Sequence, residues 1–107
     1  MRGLAEFQII GRVGRIKTVG STLRVSIVAE YGRTNDRGEF EANPYWNEVT
    51  FFNERRIHYI EQKVATGDIV HVRGTVRQTQ YERDGETIYS MTLAGDDFDL
   101  LAKKAGD

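Results

Sequence analysis

Tyr45 to Phe52, Tyr-Trp-Asn-Glu-Val-Thr-Phe-Phe, constrains the chain more than any other stretch. Successive strand side chains point to opposite sides of a sheet. One parity holds Asn47, Val49 and Phe51, a natural core face. The other holds Trp46, Glu48, Thr50 and Phe52. Two large aromatics on the polar side of a strand need a reason. They fill a second core layer, they are covered by another subunit, or they form a platform for flat ligands. The strand alone leaves all three open.

The chain has 107 residues, enough for one domain with a modest core. Association between copies would help a core of this size. With 39% hydrophobic and 29% charged residues, the composition suits a globular domain. There is no cysteine, which removes disulfides, thiolate metal ligands and thiol nucleophiles. This fits a reducing cytoplasm. The N-terminus enters a strand pattern too early for a signal peptide. No apolar run approaches the roughly 18 residues of a membrane helix. Formal net charge is −1. Asp96, Asp97, Asp99 and Asp107 crowd the end, so the body is near neutral, and a basic groove must come from arrangement.

In order, residues 1–6 read as a loose arm and Phe7 to Ile16 as a first strand. Gly11 and Gly14 within it mark a bend or bulge. Leu23 to Glu30 alternates cleanly, with Leu23, Val25, Ile27 and Ala29 inward. Tyr31 to Pro44 reads as a long polar hairpin loop carrying Tyr31, Arg33, Arg37 and Phe40. After the aromatic strand, Asn53 can cap a helix whose apolar stripe is Ile57, Ile60 and Val64, with Gly67 placed to end it. Ile69 to Tyr81 is a long strand with Val70, Val72, Gly74 and Val76 on one side. Arg83-Asp84-Gly85-Glu86 is a hairpin turn. Thr87 to Leu93 closes the sheet, with Tyr89, Met91 and Leu93 on one side. Asp96 to Leu101 ends that strand, and residues 102–107 form a short tail. Five curved strands with one helix between the third and fourth make an all-β protein in the order of a five-stranded OB-fold barrel.

Four aromatics are assigned to the outward face: Tyr31, Trp46, Phe52 and Tyr81. Among them lie Arg12, Arg24, Arg33, Arg73 and Arg77, with Arg15 and Arg37 nearby. Rings spaced by guanidinium groups suit single-stranded nucleic acid, because every base has a π-face and every phosphate needs a cation. A catalytic reading finds little support. His58 and His71 lack metal-ligand spacing, and no Ser-His-Asp order or carboxylate pair stands out. Asp96, Asp97 and Asp99 read as a solvated strand end, and no metal or other cofactor is expected.

Several pieces together resemble the bacterial single-stranded DNA-binding protein family from about Phe7 to Leu101. They are Ile9 to Arg15, Pro44 to Phe52, Lys63 to Arg77 and the hairpin Tyr81 to Thr87. The resemblance implies stacking roles for Tyr31, Trp46, Phe52 and Tyr81. It also implies a homotetramer paired through the first strand (a dimer is the alternative) that protects single-stranded DNA in replication, recombination or repair. Family members usually continue into a disordered tail with an acidic tip that recruits replication and repair proteins. This sequence stops at Asp107, so it reads as an excised core or a short member. The rival is a module like primosomal replication protein B, a tail-less OB-fold dimer bridging replication-restart proteins with weaker single-strand binding. An OB-fold for RNA is a further alternative, since stacking does not read the 2′-hydroxyl.

Overall fold

The computed structural model describes residues 1–105; the last two residues of the expected tail lie outside them. The elements are β1 (Glu6–Val19), β2 (Thr22–Thr34), β3 (Phe40–Phe51), α1 (Glu54–Lys63), β4 (Ile69–Arg83) and β5 (Glu86–Ala102). The strands close in the order β1-β2-β3-β5-β4, with β4 returning to β1. All pairings are antiparallel except β3 with β5. This is the OB-fold that the element order predicts.

The alternation of β2 and β3 decides what lies inside. Leu23, Val25, Ile27, Val49 and Phe51 are fully buried, joined by Val13, Val70 and Val72 from β1 and β4. Each such side chain is worth about 1.5–3 kcal/mol in burial. Phe98 of β5 meets Phe51 edge-on at 5.6 Å. The helix packs on the core through Ile57 and Ile60 and buries Ile60 completely. Asn53 caps it as expected, its side-chain oxygen accepting from the Arg56 amide at 3.0 Å. The helix stops earlier than the glycine signal indicates. Val64 is already extended at φ −116°, and Gly67 at φ +97° shapes the following turn instead.

One other expectation is corrected. The stretch 31–44 is mostly strand: β2 and β3 stay in register from Thr34–Phe40 back to Leu23–Phe51, as one long hairpin that leaves the barrel. Its tip is tied by Asn35, which accepts from the amides of Arg37 and Glu39. The final strand runs to Ala102, so Asp96 to Leu101 do end it as the sequence indicates. The β4–β5 hairpin likewise extends past the barrel and turns on Asp84 (φ 51°) and Gly85 (φ 81°), the two positive values of a type I′ turn. Tyr89 and Met91 do share the side of Leu93. Only Leu93 reaches the core; the other two stand in the exposed arm.

Asp68 fastens the chain after β5. It is 1% exposed. Its carboxylate accepts from Lys103 Nζ at 2.6 Å and from the amides of Lys104 and Ala65, both at 2.9 Å. Burial alone would raise its pKa. The Lys103 hydrogen bond, the two amides and the Lys103 charge outweigh that and hold it at about 2, against an ordinary 3.8.

Candidate nucleic-acid interface

Register fixes which side chains share the outer face of β1, β2 and β3. Val28 lies opposite both Arg12 and Trp46. Ser26 lies opposite Arg15 and Glu48, and Arg24 opposite Lys17 and Thr50. Trp46 is therefore outward, as its parity predicts, and 61% exposed. It is not a second core layer. Its ring reaches across β2 to β1, where a Cβ on Gly14 would overlap Cζ3 and Cη2 of the indole. The β1 register shifts between Val13 and Arg15, so Gly14 sits at the bulge expected from its glycine spacing. The missing side chain there lets the indole lie down on the barrel with area left open to solvent.

The outer face continues across β5 onto β4. Val49 and Leu93 pair with both side chains inward, so Thr92 and Ser90 alternate outward beside Glu48 and Trp46. A shallow depression is lined by Arg24, Trp46, Glu48, Thr50, Ser90 and Thr92. Across β5, Arg77 pairs with Thr92 and Tyr81 with Ile88, which puts both on the Trp46 side. Phe52 lies just beyond β3 and is exposed. Six residues separate it from Trp46, about 20 Å of extended chain. Trp46, Phe52, Tyr81, Arg24 and Arg77 thus belong to one outer surface.

Tyr31 does not join them. It has the parity of Ile27 and Ala29, so past the barrel it emerges on the opposite side of the β2–β3 arm. There it meets Tyr45 edge-on at 5.6 Å. Arg33 shares that side, opposite Glu41. The aromatic on the Trp46 side of the arm is Phe40, whose ring lies over Gly32. Its signal was present in the sequence: it stands six residues before Trp46, on the same parity.

The arginines differ in how free they are. Arg12 donates to the Gly67 carbonyl at 2.8 Å. Arg24 lies 3.6 Å from Glu48, and its Nε has no hydrogen-bond partner among the described residues. Arg73 is held by Asp97 at 2.9 Å and by Glu6 at 3.7 Å. Arg77 donates to the Thr75 hydroxyl at 3.3 Å. His71 lies between Gln8 (2.7 Å) and Asp99 (3.3 Å), a satisfied surface histidine as its isolation in the sequence indicates. Among the described residues, no group of three or more His, Cys, Asp or Glu is placed to hold a metal ion. No described helix is long and apolar enough to cross a membrane.

The fold is a closed OB-fold with an indole laid open on its outer sheet and Arg24 beside it. The model of the single-strand binding protein family matches residues 4–101, and the chain belongs to that family. The mitochondrial single-stranded DNA-binding protein RIM1 of Saccharomyces cerevisiae is 26% identical over 99 residues, covering 91% of this chain and 72% of the relative. A crystal structure of Rim1 superposes with a TM-score of 0.68 at 26% identity, over 94% of this chain and 98% of that one. The Plasmodium falciparum SSB in complex with ssDNA superposes with a TM-score of 0.72 over 94% and 97% of the two chains. At 16% identity, that likeness concerns the fold alone.

Proposed function

We propose that this chain binds single-stranded DNA largely without sequence preference and without catalysing a reaction. Bases stack on Trp46, Phe52 and Tyr81, while Arg77 meets a phosphate and Arg24 does so only in competition with Glu48. The observation that carries the reading is the Trp46 indole, held down over Gly14 and open to solvent on a polar strand face. A ring in that position has area to offer a base. Family membership and the relatives named for single-stranded DNA favour this reading over the bridging module. The chain works in replication, recombination or repair, in the cytoplasm with the nucleoid, alongside proteins of those processes. Its assembly is a homotetramer, which would cover Ile10, 60% exposed on β1.

Trp46 is the single tryptophan, so its fluorescence reports the site directly. Titration with oligo(dT) should quench it strongly, salt should restore it, and duplex DNA should leave it unchanged. Absence of quenching by the single strand would overturn the stacking reading. Light scattering should give the mass of four chains.

A further inference from the structure

The β2–β3 arm has two unlike sides. From Phe40 to Trp46, the β3 residues on the Trp46 side are Phe40, Ala42, Pro44 and Trp46, all uncharged and apolar. Facing them on β2 are Thr34, Gly32, Glu30 and Val28. The other side of β3 carries Glu41, Asn43 and Tyr45, beside Arg33 and Tyr31 of β2. Phe40 ends the apolar row and is 64% exposed. Its ring lies over Gly32, where a Cβ would overlap ring atoms Cζ and Cε2. Gly32 therefore serves Phe40 as Gly14 serves Trp46. In both cases a glycine on the neighbouring strands lets an aromatic ring lie down on the sheet and keep exposed area.

We propose that single-stranded DNA leaves Trp46 along this apolar row and that Phe40 is its distal stacking ring. Tyr31, on the reverse side of the arm, is outside that track. The inference rests on the single-strand reading above and adds to it a direction and a further binding residue. Two rings six residues apart on one strand lie about 20 Å from each other, so a short oligomer seated on Trp46 does not reach Phe40. Charge does not select this side, since Glu30 faces Pro44 there while the reverse side pairs Arg33 with Glu41; the apolar row and its two exposed rings do.

The test compares Phe40→Ala, Phe40→Trp and Tyr31→Ala with the unaltered protein. Fluorescently labelled oligo(dT) of about 4 and about 16 nucleotides brackets the range of site sizes for one OB-fold. Phe40→Ala should weaken binding of the longer oligomer about tenfold, the loss expected for one stacked base. It should leave the shorter oligomer unchanged. Phe40→Trp should restore the longer one, and Tyr31→Ala should alter neither. Chemical denaturation of Phe40→Ala should match the unaltered protein, since the ring is mostly exposed. Equal binding of both oligomers by Phe40→Ala and the unaltered protein would overturn the proposal. So would a loss that follows Tyr31. Failure of the unaltered protein to bind either oligomer would instead remove the single-strand reading itself.

Discussion

Gly14 has more influence on the surface than its lack of a side chain implies. It sits at the β1 bulge beneath the far edge of the Trp46 ring, and any Cβ there occupies space that the indole now fills. In Gly14→Ala the ring must lift, because it is the movable partner. Acrylamide should then quench the free protein's tryptophan emission more efficiently, and affinity for oligo(dT) should fall about tenfold as a well-placed stack is lost. Unchanged quenching would mean that the ring does not depend on Gly14. Strand parity alone sets Trp46 on the face opposite Val49 and Phe51, but that this face is open and not a second core layer is decided by the closed barrel. The side taken by Tyr31 was legible too: counting by twos from Ile27 puts it with the inward set. Its position beside an apparent loop masked this, because a residue entering a loop has no assigned side.

The elements that leave the barrel were the hardest to read. Alternation signals a strand when one side is buried and the other wet. Residues 31–44 are wet on both sides, so β2 and β3 lose that signal while keeping their hydrogen-bond register to Thr34 and Phe40. The Asp84-Gly85 turn was read correctly because its chemistry is local. Asp68 is the opposite case. Nothing adjacent marks it as more than a turn residue, yet it joins the α1–β4 connection to the chain after β5 through Lys103 and Lys104. Replacing it with alanine leaves the Ala65 and Lys104 amides without that acceptor and should cost about 3 kcal/mol. The check is a lower denaturation midpoint with an unchanged slope. The folded pKa of about 2 lies below the 3.8 of the free side chain. The contribution of this carboxylate is therefore complete above pH 3.8, declines as pH falls, and is gone below about 2. The shift corresponds to about 2 kcal/mol. Asp68→Ala should have a correspondingly flatter stability profile between those pH values. A parallel profile would show that other carboxylates control acid unfolding.

Composition correctly indicates a near-neutral molecule whose cations must be arranged to matter, but it cannot show which cations are spoken for. Of the five arginines assigned to phosphates from the sequence, Arg24 and Arg73 face carboxylates and Arg12 is bonded to a backbone carbonyl. Arg33 and Arg77 have no carboxylate within ion-pair distance among the described residues. A phosphate that takes an already neutralised guanidinium must displace its partner, and the leftover carboxylate opposes the strand. Binding should therefore be less salt-dependent than five arginines imply. With a dependence of roughly 0.7 per phosphate contact on single strands, the slope of log K against log salt should lie nearer about −0.7, for Arg77 as the one carboxylate-free arginine on the Trp46 side, than about −3.5, for five. Glu48 gives the sharpest test, because it sits between Trp46 and Thr50 on the outer face and lies 3.6 Å from Arg24. Glu48→Gln removes a negative charge from the path of the strand and releases Arg24 to a phosphate. Affinity for oligo(dT) should rise, and the slope should steepen by about 0.7. A rise in affinity at unchanged slope would mean that Glu48 repels the strand without restraining Arg24. A fall would mean that the pair orients Arg24 for its contact, so that the neutral surface is a condition of binding and not a restraint on it.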